Sequence, residues 1–344
     1  MISNLLVKPN RFFIFGEKSM TKYKLEDVAK LAEVSKTTVS RVINKRGYLS
    51  NKTVEKVYKA MADLNYQPNA AAQQLQRQHT KIIGLIFPTA SNPFFGELIE
   101  HLETILYQKG YKVILGNSMQ NPEKEEDYLS QLLSHQVDGL IIGTHNFNIS
   151  TYKKYSGLPI VSIERTLTDE IPTISVNNYK GGVLATEFLI NQGYRHILHI
   201  VGDISESMPS SYRHQGYLDA MANHGLKPLQ WQISFEKTFD EKRSSIKKML
   251  SKNSQIEAVF AGNDTDAAQL MATLNSEQTD NIAVIGFDGT RLMRAILPGM
   301  ASIVQPIEQM ASMAVQVLET RIKGEKTEPI YMLDVSLYKG NRQV

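Results

Sequence analysis

The sequence predicts a small all-α helix-turn-helix head joined to an α/β core of two doubly wound lobes. Two observations predict the division. Between Leu25 and Asn44 two short apolar-periodic runs flank a tight polar break, and from Lys81 onward short Ile/Leu/Val runs alternate with segments of helical period. A third observation is the charge. Residues 20–80 hold eleven lysines and arginines against five acids, net +6, whereas residues 81–344 hold 24 against 29, net −5. The overall +3 therefore conceals a basic head on a mildly acidic body, and a basic head attracts a polyanion at one end of the chain.

The first helix of the head is written by Leu25, Val28, Ala29 and Ala32, which fall on one face at i, i+3, i+4 and i+7 with Glu26, Asp27 and Lys30 outside. Ser35 stands at an N-cap, and Val39, Val42 and Ile43 form the inner face of a second helix that starts near Lys36. The outer face of that helix carries Lys36, Thr37, Ser40, Arg41 and Asn44, donors and acceptors with no acid among them. Such a face suits a groove whose base edges present both kinds of group. An ordinary solvated helix face is the alternative. A third helix, capped by Ser50 or Asn51, places Val54, Val57, Tyr58, Met61 and Leu64 at core spacing.

These motifs follow one another in a recognisable order. VSKTTVSRVIN, then KTVEKVYKAMADLNYQPN, then AAAQQLQ stand at the spacing of the lactose-repressor family of bacterial transcription regulators, which the chain resembles. Within that family the stretch RVINKRGYLSNKT is most similar to the sucrose-operon repressors of Gram-positive bacteria. The resemblance implies that Lys36 and Thr37 face base edges, as the first residues of a recognition helix do, and that Arg41 reaches a base or phosphate further along. Thr38, Ser40 and Asn44 are then candidates for phosphate contacts, with Ser35 sharing capping and phosphate binding.

Tyr66 and Pro68 break the third helix, and Asn69–Gln78 is a run of small and amide side chains with Leu75 as its one bulky apolar residue. By composition it is a linker or a helix too short to be stable alone. The resemblance implies a hinge over 69–80 that becomes helical on operator DNA, with Leu75 wedging into the minor groove at the centre of a palindrome. Gln73 and Gln74 stand where many relatives carry an arginine near the wedge.

In the core, IIGLIF at 82, KVILGN at 112, VDGLIIG at 137, PIVSIE at 159, ILHIVG at 197, AVFAG at 258 and IAVIGFD at 282 read as strands of parallel sheets, buried on both faces. A ligand crevice belongs at the carboxyl ends of such strands. The resemblance implies a core like the periplasmic sugar-binding proteins, crossed three times by the chain, with one lobe over about 81–176 and 307–334 and the other over about 177–304 and 335–344. It also implies effector contacts from Arg213, within Arg-x-x-Gly-Tyr, and from Asn263, Asp264, Asp288 and Gln305. Asn92, Phe94 or Phe95, and Arg165 are further candidates after strands of the first lobe. Competing readings accompany them: Asn263 or Asp264 could simply cap a helix, Arg213 could pair with Asp219, and the phenylalanines could be core.

Catalytic and metal chemistry find little footing. With no cysteine, thiol catalysis, disulfides and cysteine-ligated metals are excluded. There is no G-x-S-x-G or GxxxxGK[ST], and Gly181-Gly182 is too short for a phosphate loop. His196 and His199 lie in or beside a strand, where i, i+3 residues do not meet. No metal, cofactor or enzymatic activity is expected.

Residues 1–19 precede Met20 without a counterpart in the family and read as a disordered extension or an upstream start; the apolar run Phe12–Phe15 is too short for a signal peptide, and no 18-residue apolar stretch exists. The expectation is a cytoplasmic protein that binds double-stranded operator DNA as a homodimer, without membrane contact, and responds to a sugar or sugar phosphate. The chain ends at YKGNRQV without a tetramerising leucine helix. A two-lobed sugar-binding protein of transport and a sugar-modifying enzyme are the rival classes.

Overall fold

The computed structural model describes residues 23–44, 46–67, 79–118, 121–134, 136–143, 152–204, 208, 210–277 and 282–341. The extension at 1–19 and the wedge residue Leu75, with most of the hinge reading over 69–80, lie outside the described residues. The chain divides into two compact units, Met1–Gln78 and His79–Val344.

The first unit holds α1 (Leu25–Leu31), α2 (Lys36–Ile43) and α3 (Asn51–Asp63). Ser35 caps α2 by accepting the Thr38 N–H at 3.0 Å, and Ser50 caps α3 by accepting the Thr53 N–H at 3.2 Å. The tight break between α1 and α2 is a Schellman turn: Val34 N–H reaches the Ala29 carbonyl and Glu33 N–H the Lys30 carbonyl, with Glu33 at φ 57. Val28, Ala29, Ala32, Val39, Val42, Val57 and Ala60 form the core. Tyr58, expected there, is 46% exposed. Three alanines let the helices approach closely, and the thin interior they leave takes Ala60 instead of a phenol ring.

The second unit opens with β1 (Ile82–Phe87), α4 (Pro93–Gln108), β2 (Lys112–Asn117), α5 (Pro122–Leu133), β3 (Gly139–Ile142), α6 (Tyr152–Tyr155), β4 (Ile160–Ile163) and β5 (Thr173–Val176). There follow α7 (Asn178–Asn191), β6 (Ile197–Val201), α8 (Ser211–Asn223), β7 (Leu229–Gln232), α9 (Phe239–Lys252), β8 (Ala258–Ala261), α10 (Asp264–Ser276) and β9 (Ala283–Asp288). The unit closes with α11 (Arg291–Ile296), β10 (Ala301–Val304), α12 (Ile307–Ile322), β11 (Ile330–Leu333) and β12 (Ser336–Tyr338).

These strands make two six-stranded sheets, ordered β2-β1-β3-β4-β5-β11 and β7-β6-β8-β9-β10-β12. Every pairing is parallel except β10 with β12. The chain changes sheet after β5, after β10 and after β11. All seven runs read from the sequence are strands, but β2 departs from the expected burial: it is a sheet edge, and Ile114 and Leu115 are 39% and 38% exposed. Strand order reverses direction at β1 in one sheet and at β6 in the other, so the loops after Phe87 and after Val201 stand where a doubly wound sheet opens a crevice. Among the described residues no helix is long and apolar enough to cross a membrane.

Candidate functional site

Between the two sheets lies a cleft that encloses about 1080 Å³ including its open, solvent-filled mouth. Asn92, Phe94, Phe95 and Glu164 line it from the first sheet; Asp203, Arg213, His214, Asn263, Asp288 and Gln305 are among those facing them from the second.

Arg213 is placed by helix packing. Gly182 on α7 and Gly216 on α8 let the two backbones touch: a Cβ at Gly182 would stand 2.1 Å from the Arg213 carbonyl oxygen, and one at Gly216 2.2 Å from that of Tyr179. This contact brings Asn178 against the arginine. Arg213 Nε donates to Asn178 Oδ1 at 2.5 Å, one terminal nitrogen donates to the Gly262 carbonyl at 2.8 Å, and the other stands 4.0 Å from Glu164 Oε2. The flat guanidinium lies over the Phe287 ring, 3.5 Å from its centre. Asp219, the alternative partner, is occupied by Tyr179 and Gln215.

Asp288 ends β9 at φ 121, a conformation unfavourable for a residue with a side chain, and Gln305 holds it there. Gln305 N–H donates to the Asp288 carbonyl at 3.0 Å and Gln305 Nε2 to Oδ1 at 2.8 Å. Burial, then the neighbouring Asp264, push the Asp288 carboxyl well up, against the pull of Arg213. Burial lowers the Arg213 guanidinium from its usual value, and Asp288, Glu164 and Asp264 oppose that shift.

The remaining expectations divide. Asn92 caps α4 through the Phe94 and Phe95 N–H groups and also lines the cavity; Asn263 caps α10, exchanges hydrogen bonds with Asp266, and lines it too. Capping and ligand contact are therefore compatible at both positions. Phe94 and Phe95 are both buried and both line the wall, with the Phe95 ring edge-on to Phe235 from the other sheet.

Two expectations need correction. Asp264 is 1% exposed and is spent inside the protein, accepting the Ser302 hydroxyl at 2.6 Å and the Gly289 N–H at 2.8 Å. Arg165 does not line the cavity. Glu164 adopts φ 54, the chain turns there, and Arg165 enters the interior where Glu125 and Tyr152 act on its charge, leaving Glu164 to face the cleft.

Sequence reasoning missed Asn178, Glu164 and a histidine pair. His199 Nδ1 lies 3.1 Å from His214 Nδ1, and the His199 ring stacks on Phe260 at 4.4 Å. Burial first, then His214 and Arg213, hold His199 well below the usual imidazole range. Asn178 carried a signal in the tract VNNYKGG, where two amides at a strand end precede two glycines.

On the head, Ser35, Lys36, Thr37 and Arg41 are exposed, and Thr38, Ser40 and Asn44 are half-buried on or beside the same helix. Lys36 Nζ pairs with Glu26 Oε1 at 2.5 Å across the α1–α2 turn. Asn44 Nδ2 donates to Ser40 Oγ at 3.3 Å, and Arg41 Nε lies 3.4 Å from the Arg46 carbonyl oxygen.

A helix-turn-helix with a polar, acid-poor second helix, on a chain whose two-sheet core encloses a small-molecule cleft, defines a ligand-binding transcription regulator. Comparisons agree. The pattern of bacterial regulatory proteins of the lacI family matches residues 24–69, and that of periplasmic binding proteins and the sugar-binding domain of the LacI family matches residues 80–314. The chain belongs to the LacI family.

Among its relatives, the sucrose operon repressor of Lactococcus lactis subsp. lactis is 43% identical over 317 residues, covering 92% of this chain and 99% of the relative. Among solved structures, the lac repressor dimer bound to operator and the anti-inducer ONPF matches with TM-score 0.80 at 25% identity, over 94% of this chain and 99% of the other. A LacI family regulator from Lactobacillus casei with bound sucrose matches with TM-score 0.65 at 26% identity, over 75% and 98%.

Proposed function

We propose that this protein is a sugar-responsive repressor that binds a palindromic operator as a homodimer in the cytoplasm and controls a sucrose-utilisation operon. The observation that carries this reading is the anchored Arg213 in the wall of a cleft lined from both sheets, on a chain with a helix-turn-helix head. The 43% identity to a sucrose operon repressor over nearly the whole chain supports the choice of operon. A regulator is favoured over an enzyme because the curated relatives are repressors.

In this reading Ser35, Lys36, Thr37, Thr38, Ser40, Arg41 and Asn44 meet DNA, and Leu75 wedges the minor groove. The core comprises two lobes, one built on each sheet. Sugar touches Asn92 and Phe94 from one lobe and Arg213, Asn263, Asp288 and Gln305 from the other, so occupancy changes the angle between them. Arg291 already ties the lobes along the rim, its N–H 2.8 Å from Glu97 and its guanidinium 3.1 Å from Glu97 and Glu100. Movement of the first lobe alters the spacing of the two hinges, and operator is released. Turning a population from 1:99 to 99:1 takes about 5.5 kcal/mol of differential affinity. The exposed Ile114, Leu115 and Tyr107, on and beside an open sheet edge, support a second copy as cover.

Mobility-shift of a palindromic fragment from upstream of the gene tests the reading. A specific complex that sucrose dissolves is expected. Specific binding indifferent to every sugar contradicts the sugar half, and absence of specific binding contradicts the whole.

A further inference from the structure

We propose that the cleft selects neutral sugars and rejects their phosphate esters by charge; this rests on the sugar-responsive reading above. A phosphate dianion is a pure acceptor and needs a cation with free N–H groups or an uncapped helix N terminus. Among the described residues the wall is short of positive charge that is not already opposed. Arg213 is the single lysine or arginine among the described residues that line the cavity; its Nε and one terminal nitrogen donate to Asn178 and Gly262, and its charge is already opposed by Glu164 at 4.0 Å. Lys242, just behind the wall, is committed to Asp266 at 2.8 Å, with both side chains buried.

Of the three helix N termini at the wall, two are capped by side chains. Asn92 caps α4, and Asn263 caps α10, whose first turn already carries Asp264 and Asp266. α8 has no side-chain cap at Ser210, and in its first turn the N–H groups of Ser211 and Arg213 donate to the Met208 and Ser210 carbonyls.

Against this the cavity presents carboxyl groups from Glu164, Asp203, Glu236, Asp266 and Asp288. Leaving Asp288 aside, four carboxyl groups face two cations, Arg213 and Lys242, that are each already beside an acid. The same wall suits a polyol, whose hydroxyls donate to carboxylates and both donate to and accept from amides and imidazoles. Two buried polar atoms of lining residues have no partner among the described residues: Gln305 Oε1 and His199 Nε2, on side chains 3% and 2% exposed. Unmet hydrogen-bonding capacity at that depth is costly until a ligand hydroxyl meets it.

Calorimetric titration of the full chain with sucrose and sucrose 6-phosphate, and with fructose and fructose 6-phosphate, tests the proposal. Each ester is expected to bind at least about a hundredfold more weakly than its parent sugar that binds, since like-charge contacts cost several tenfold factors in affinity. The ratio should shrink between about 0.1 M and about 1 M salt, as the screening length falls from about 10 Å to about 3 Å. It should also fall by about tenfold in the Asp203→Asn, Glu236→Gln double variant.

An ester that binds as tightly as its parent overturns the proposal and leaves the sugar-responsive repressor intact. A weak ester whose ratio is unmoved by salt and by the double variant is excluded by shape, which also overturns it. If neither form binds while operator binding persists, the sugar reading itself falls and takes the proposal with it.

Discussion

Arg213 and Asn178, 35 residues apart, are joined by a 2.5 Å hydrogen bond from Nε to Oδ1 across two helices whose backbones touch. The amide fixes the plane of the guanidinium over Phe287 and so decides which way its edge faces the cleft. Asn178→Ala is expected to weaken sugar affinity by about tenfold, the usual worth of a hydrogen bond to a charged group, while operator binding without sugar is unchanged. Gly182→Ala should do more, because its Cβ would collide with the Arg213 carbonyl; thermal unfolding should show the core destabilised by about 3 kcal/mol or more.

The exposed Lys36–Glu26 pair holds a groove-facing cation on a neighbouring acid. Lys36, through its hydrogen bond first and its charge second, holds the Glu26 carboxyl below the usual range. Glu26→Gln is expected to tighten non-specific DNA binding about threefold, within the modest scale of surface pairs, in anisotropy at fixed low salt. Unchanged or weaker binding would mean that the pair does not compete with phosphate.

Glu33 occupies the left-handed position of the α1–α2 turn, where glycine is free of strain. It also pairs with Lys56 at 3.1 Å on the surface, a contact of small worth. Glu33→Gly should therefore stabilise the head by about 0.5 to 1 kcal/mol in chemical denaturation. A loss of stability would show the ion pair outweighing the backbone.

Burial raises Asp264 from 3.8 to about 6, against hydrogen bonds from Ser302 and Gly289. Between about pH 4 and 6 the native core keeps a proton that the unfolded chain has released, so stability falls as pH rises through that window, by on the order of 3 kcal/mol. The raised Asp288 adds in the same direction. Asp264→Asn should flatten the dependence in urea unfolding followed across this range. A slope as steep as that of the parent protein would place the titration elsewhere.

Much of the fold was legible because local rules and tertiary need agree. Ser35 before an apolar-periodic run marks α2, and runs such as Ile82–Phe87 have no other use than as buried strands. Tyr58 misled because periodicity gives a face but not the depth of the core beneath it. The cleft was legible in part: Arg213, Asn263, Asp288 and Gln305 were implied by the family resemblance, and all four line the cavity. Asn178 showed only as one of two amides at a strand end; its meeting with Arg213 depends on the touching of α7 and α8. The exchange of Arg165 for Glu164 was not legible, since it depends on one left-handed backbone angle that no pattern of side chains announces.

The most direct test of the central claim, that a sugar seated on Arg213 controls operator binding, is anisotropy of a labelled palindromic operator held by the parent protein and by Arg213→Ala, each titrated with sucrose. Both proteins are expected to bind operator alike, and sucrose to release it from the parent alone. Release from both at the same sucrose concentration would contradict it.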